Sequence, residues 1–251
     1  MAGHSAWSNI KHRKGRQDAL RGKLWSKLAK AIIVAARMGG GDPDANLRLR
    51  IAIVDAKAVS MPKDNIERAI KKGTGELEGG NVEEMIYEDY GAGGVAVMCE
   101  IMTDNRNRTA AEIRKIFEKH GGKLGATNCV AWMFDRKGVL VVSAAKVDED
   151  RLMEIALEAG ADDLRREGEN FQITCPPDAL TAVQEALQAA GIEPDSKELT
   201  RIPTNTVDVA EVDTAKTVLK LMEALDDHDD VQTVSANFTI PDEAMAAIIA
   251  G

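Results

Sequence analysis

The stretch Gly138–Cys175, GVLVVSAAKVDEDRLMEIALEAGADDLRREGENFQITC, decides how most of this chain folds. Gly138–Ser143 reads as a strand, Asp148–Ala159 as a helix, and Asp162–Arg166 and Asn170–Cys175 as two further strands. Continuing outward, Pro177–Ala190 is helical and Leu199–Ile202 is extended. The order is βαββαβ, the split-βαβ or ferredoxin-like unit. Before it come a strand at Val95–Met102, a helix at Arg106–His120 with Ile113, Ile116 and Phe117 inward, and a strand at Val130–Phe134. After it come a helix at Val212–Leu225 and a strand at Val231–Ile240. These flanking elements predict a second ferredoxin-like unit into which the first is inserted.

The N-terminal part is helical instead. Leu20, Leu24, Leu28 and Ile32 recur every four residues, with Ala31 and Ala35 widening the stripe, until Gly39-Gly40-Gly41 stops the helix. Asp42 reads as the next N-cap with Pro43 in the first helical position. Leu47, Ile51, Val54 and Ala58 are then expected to form the buried face of a second helix. A third starts near Ser60 and Pro62, buries Ile66, Ala69 and Ile70, and ends at Gly73. Residues 73–81, GTGELEGGN, form a glycine-rich linker. The expected fold class is α+β, with domains at 1–76, at 82–136 plus 203–251, and at 137–202.

Charge follows the same division. Residues 1–72 hold 16 Lys/Arg against 6 Asp/Glu, a net +10, while the remainder holds 16 against 35, a net −19. A basic segment on a net-acidic protein is a footprint of nucleic-acid binding. The bases thicken toward the start, and the three helices are expected to carry them on their outer faces. The opening run mixes His4, Trp7, Lys11, His12, Arg13, Lys14 and Arg16, followed by Arg21 and Lys23. Such a run suits an arm that meets phosphates through Lys and Arg and stacks or inserts Trp7; it equally suits a basic tail, with Trp7 capping the helical core. Aromatic content of 4% argues against an extended stacking platform.

Other motifs are less pointed. Tyr87–Gly94, YEDYGAGG, runs into a strand and not a helix, so it reads as a tight turn rather than a phosphate loop. Arg106 and Arg108 oppose the dipole at a helix start, which points either to an anionic partner or to an internal carboxylate. Asp226-Asp227-His228-Asp229-Asp230 does not converge on a point and reads as a solvated loop, with no metal expected. Cys99, Cys129 and Cys175 form no C-x-x-C pair and suit free thiols in a reducing cytosol. No hydrolase, zinc, Walker-type or dinucleotide fingerprint is present, so neither an enzyme nor a cofactor is expected. The apolar run Ala31–Ala36 is too short for a membrane span, and a cytoplasmic location is expected.

Seven stretches together resemble the YebC/PmpR family: GHSAW at 3–7, GGGDPDAN at 39–46, YEDYGAGG at 87–94, DNRNRT at 104–109, LEAGADD at 157–163, IPTNTVDV at 202–209 and DDVQTV at 229–234. The resemblance extends from residue 2 to about residue 240. It implies a helical N-terminal domain and two ferredoxin-like domains, one inserted in the other. It also implies a non-enzymatic regulator, described for some members as a DNA-binding transcriptional regulator. For others it implies a ribosome-associated translation factor, the mitochondrial relative being a translational activator of cytochrome oxidase. The expected partner is therefore DNA or ribosomal RNA, with a protein partner for the acidic body also in view. The family usually has Lys where this chain has Ala6, which removes one phosphate contact, and Pro where it has Ala92, which loosens a turn.

Overall fold

The computed structural model describes residues 17–122, 125 and 128–250, with backbone only for residues 17–21, 242 and 249–250. Three helices open the described chain: α1 (Gln17–Gly39), α2 (Leu47–Ala58) and α3 (Lys63–Gly73). α1 packs against both others, burying Ile32, Ile33, Ala35 and Ala36 against Leu49, Ala52, Ile53, Ala56, Ile66 and Ala69. Gly73 permits the close approach of α3, since a Cβ there would lie 2.5 Å from the Ile33 carbonyl.

α2 departs from expectation in two linked ways. Its N-cap is Asn46, not Asp42, and the helix begins at Leu47 instead of Pro43. Asn46 is buried; its Oδ1 accepts from the Leu49 N–H at 3.1 Å, and its Nδ2 donates to the carbonyls of Ala35 and Gly40 at 2.8 Å each. One side chain thus caps α2 and closes the end of α1. Its fit requires Gly39, where a Cβ would sit 2.6 Å from the amide nitrogen. The second departure is rotational: Leu47, Ile51 and Val54 are 62%, 37% and 50% exposed, and Ala58 is exposed as well. The buried face is Leu49, Ala52, Ile53 and Ala56. Both sets have helical spacing, and the small Ala52 and Ala56 let the second set approach the alanines of α1 more closely.

The body begins with β1 (Glu83–Tyr90), paired antiparallel along its whole length with β2 (Ala96–Thr103). The tight turn expected at Tyr87–Gly94 is confined to its glycine end, because Tyr87–Tyr90 belong to this strand. Four acids in EEMIYEDY disguise it, and two of them, Glu88 and Asp89, are buried. After β2 come α4 (Arg106–Lys119) and then β3 (Phe134–Ser143). The strand expected at Val130–Phe134 is not formed; Ala131–Met133 is a single 3₁₀ turn, and β3 begins at Phe134.

α5 (Glu149–Glu158), β4 (Asp163–Glu167), β5 (Asn170–Cys175), α6 (Leu180–Ala189) and β6 (Ser196–Pro203) follow β3. Their four-stranded sheet has the order β4-β5-β3-β6 with every neighbour antiparallel, as a split βαβ repeated twice requires. Leu140, Val142, Phe171 and Ile173 pack beneath Leu152, Ala156, Val183 and Leu187.

The chain then returns through β7 (Val207–Asp208) and α7 (Val212–Asp226) to β8 (Val231–Ala236), which pairs with β2. The first sheet is therefore β1-β2-β8, with the four-stranded unit inserted between its second and third strands. It has three strands among the described residues, where a complete ferredoxin-like unit has four. The strand expected at Val231–Ile240 breaks at Asn237, whose buried Oδ1 accepts the Ala96 N–H at 2.7 Å. Beyond the break, β9 (Phe238–Thr239) pairs in parallel with β7, and α8 (Asp242–Ala250) closes the described chain. Glu100 ties the two sheets, accepting from Arg201 and Thr233 at 2.9 Å each. The fold class is α+β, with helices first and sheet-containing units after them. No helix among the described residues is long and apolar enough to cross a membrane.

Candidate nucleic-acid interface

Of the expected nucleic-acid contacts, His4, Trp7, Lys11, His12, Arg13, Lys14 and Arg16 lie outside the described residues, as does the side chain of Arg21. Lys23 is described, and it does not stand alone. Lys23, Lys27 and Lys30 recur at helical spacing along one face of α1, and that face meets the C-terminal end of α7. Lys27 Nζ donates to the Asp226 carbonyl at 2.6 Å, Lys23 Nζ to the Asp227 carbonyl at 3.0 Å, and Lys30 Nζ to the Asp229 carbonyl at 3.0 Å. The final carbonyls of a helix have no partner within it and carry its negative dipole end, so ammonium groups are well placed there. Carboxylates add to the contact, with Asp227 at 3.8 Å from Lys23 and Asp226 at 4.0 Å from Lys27.

The expectation that the helices carry their bases outward is corrected for Lys27 and Lys30, and the reading of Asp226–Asp230 as a solvated loop for Asp226 and Asp230, while Lys23, Asp227 and Asp229 stay exposed. Asp230 is the buried end of that turn, its side chain only 3% exposed. One carboxylate oxygen is paired with Lys30; the other accepts from Arg108 at 2.9 Å, Thr109 at 2.6 Å and Thr103 at 3.2 Å. Burial by itself would raise the pKa of Asp230. The hydrogen bonds from Lys30, Thr109 and Arg108, with the Lys30 charge, instead hold it well below the usual carboxylate range.

Arg108 is placed for this contact by α4, whose N-cap Asn105 accepts the Arg108 N–H at 3.1 Å. Its guanidinium also meets Asp104 at 3.0 Å, and its pKa rises, chiefly through the Asp230 hydrogen bond. Between the two readings of Arg106 and Arg108, Arg108 has an internal carboxylate, while Arg106 is exposed.

His228 sits within the same turn. The Asp230 N–H donates to its Nδ1 at 3.1 Å, which leaves the proton on Nε2, 2.9 Å from Glu112. Glu112, His228 and Asp230 have donor atoms within 4.8 Å of one another. The chemistry is wrong for a cation, since Lys30 and Arg108 already occupy the Asp230 carboxylate and His228 Nδ1 is taken. The cluster is a hydrogen-bonded anchor.

Further contacts among the described residues join the helical unit to the body. Arg48 of α2 pairs with Glu84 of β1, and Val82 and Met102 pack onto the helical core. Arg37, Lys57, Arg68 and Lys71 are exposed on the helical unit, the last two one turn apart on α3. Elsewhere, Glu88 accepts three backbone N–H groups, from Asn128, Val130 and Ala131, at 2.7, 2.9 and 2.6 Å. It thereby fixes the turn preceding the exposed Trp132. Sequence reading missed this pairing because nothing local links Glu88 to residues about forty positions later. Burial pushes the pKa of all three cysteine thiols up, which leaves them poor nucleophiles at neutral pH.

Comparison with known proteins agrees with the order of these units. A family model described as the TACO1/YebC protein N-terminal domain matches residues 5–76, and one described as the TACO1/YebC second and third domain matches residues 82–238. A protein of Rhodopirellula baltica named "probable transcriptional regulatory protein" is 59% identical over 247 residues, covering 98% of this chain and 100% of its own length. One of the same name from Desulfatibacillum aliphaticivorans is 60% identical over 245 residues, 98% of this chain and 99% of that protein. The crystal structure of a conserved hypothetical protein from Aquifex aeolicus superposes with a TM-score of 0.81 at 52% identity, covering 90% of this chain and 93% of that one. Matched along nearly its whole length by domain models in the right order and by relatives identical at more than half of their positions, this chain belongs to the TACO1/YebC family.

Proposed function

We propose that this protein is a non-enzymatic, nucleic-acid-binding regulator of gene expression that engages DNA through its basic N-terminal domain. The observation that carries the reading is charge segregation: +10 in residues 1–72 on a chain whose remainder is −19. The domains are taken as 1–76, 82–136 plus 203–251, and 137–202, and the contacts as His4, Trp7, Lys11, His12, Arg13, Lys14, Arg16, Arg21 and Lys23. Of the two arginines expected as a second, smaller anion contact, Arg106, exposed at the start of α4, keeps that role, while Arg108 is held by Asp230 and Asp104. The names of the relatives support transcriptional control, and the absence of a recognised catalytic motif in the sequence supports the non-enzymatic reading.

Fluorescence anisotropy against duplex DNA over a salt series tests this. Replacing Lys11, Arg13, Lys14 and Arg16 with Ala should weaken binding and flatten its salt dependence by about 0.9 log unit of slope per lost duplex-phosphate contact. An unchanged slope removes the arm from the mechanism. One observation favours ribosomal RNA as the alternative target: the acidic body lies directly against α1, which narrows the cationic surface open to a straight duplex. On that reading the protein co-sediments with ribosomes at physiological salt, and RNA crosslinks fall within residues 1–40.

A further inference from the structure

The lysine row of α1 lies within the basic segment, yet the molecule's own acidic turn occupies it. The turn offers the row a series of oxygens: the carbonyls of Asp226, Asp227 and Asp229 and the carboxylates of Asp226, Asp227 and Asp230. Point-like ammonium groups about 5–6 Å apart along a helix suit a phosphodiester backbone equally well. We propose that the Asp226–Asp230 turn is an internal competitor for nucleic acid, closing the Lys23–Lys27–Lys30 row in the free protein until a bound phosphate backbone displaces it. This deepens the reading above and rests on it.

The contact is built asymmetrically. If Lys30 leaves, one oxygen of Asp230 keeps Arg108, Thr109 and Thr103, all from the body itself. Asp230 is therefore left anchored, and the ammonium groups that leave the turn can meet phosphates in its place. The outermost pair, Lys23–Asp227, has both side chains well exposed and is readily screened. Among the described residues, the helical unit also meets the body through the Arg48–Glu84 pair, the packing of Val82 and Met102, and the charge of Lys197 near Asp55. The connection from α3 to β1 passes through Gly75 and Gly79, both at positive φ, in a segment without helix or strand. Relative motion is the default for domains of one chain unless a large hydrophobic interface joins them. The apparent affinity scales with the fraction of molecules whose turn is released, so whatever weakens the turn's hold on the lysines strengthens nucleic-acid binding, up to the intrinsic affinity of the open row.

The test uses the full chain, a D226N/D227N/D229N triple variant, and the conservative single variant D227N at an exposed position. Anisotropy is measured at low salt with a short random DNA duplex and, separately, a short RNA hairpin. Hydrogen exchange is followed across residues 226–231 with and without each probe. The triple variant removes the Lys27–Asp226 and Lys23–Asp227 carboxylate pairs and the nearby Asp229 charge while keeping the backbone carbonyls. It should bind the effective probe roughly threefold to tenfold tighter than the parent, in keeping with the modest worth of such pairs, and D227N should move the same way by less. Saturating probe should speed exchange at residues 226–231 of the parent. Equal affinities for all three proteins with unchanged exchange at saturation would overturn the competitor while leaving nucleic-acid binding intact. Failure of all three to bind either probe at any salt would remove the functional reading and this inference with it.

Discussion

Replacing Asp230 with Asn tests the anchor between α1, α4 and the α7–β8 turn. The carboxylate is buried, paired with Lys30 and Arg108, and hydrogen-bonded by Thr109 and Thr103. Removing one partner of a fully buried charge pair costs about 3–5 kcal/mol. Here Arg108 is 43% exposed and can rehydrate, so the expected cost is about 2–3 kcal/mol. Spread over a chain of this size, that lowers Tm by roughly 4–12 °C.

The pH dependence carries more information. Because the folded pKa of Asp230 is depressed, its stabilisation is fully present above the unfolded value of about 3.9 and is lost as pH falls toward the folded one. The difference between parent and variant should therefore be flat from about pH 8 to pH 5. Below pH 3.9 it should shrink by about 1.4 kcal/mol per unit, while other carboxylates cancel between the two proteins. Calorimetry and circular dichroism at pH 7, 4 and 3 follow it. Equal stability at pH 7, or a difference that persists unchanged at pH 3, would refute the charge-network account.

Other perturbations probe the rest of the scaffold. Asn46→Ala removes a cap and strips donors from two carbonyls, so it should cost about 2–3 kcal/mol in thermal or urea denaturation; a neutral result would reject its double role. Leu47→Glu and Val54→Glu should change stability by less than about 0.5 kcal/mol, whereas Leu49→Ala should cost about 2–5 kcal/mol; the reverse order would restore the other face of α2. Glu88→Gln should cost about 1–3 kcal/mol and raise hydrogen exchange at residues 128–131, whose amides the carboxylate holds.

The legibility of this chain follows the range of the interactions involved. The βαββαβ order of residues 134–203 was readable because each strand and helix has its own period and its own breaks, and the sheet order follows from that arrangement. β1 was not readable, because its buried positions include Glu88 and Asp89, and the partners of Glu88 are brought by a distant turn. The strand expected at 130–134 failed for a related reason: Val130 and Ala131 give their amides to Glu88 and curl into a 3₁₀ turn. On α2, two apolar stripes compete, and Asn46, by capping it against the end of α1, accompanies the choice between them. Within the candidate interface, Lys23 was legible as a cation on a basic helix, but not as a donor to a residue 204 positions away.

Composition and local pattern alone determined that this is an α+β protein with a cationic helical start, an acidic body and a glycine-rich connection between them. These properties belong to short windows, where charge counts, hydrophobic period and turn residues act without reference to the rest of the chain. Only the tertiary structure decided which face of α2 is buried, that Glu88 organises a loop, and that the lysine row of α1 meets the acidic end of α7. Each of those outcomes depends on desolvation and hydrogen bonding between groups remote in sequence. The same lysine is a free cation in solution and an internal ligand beside a helix C-terminus, and its residue type is identical in both.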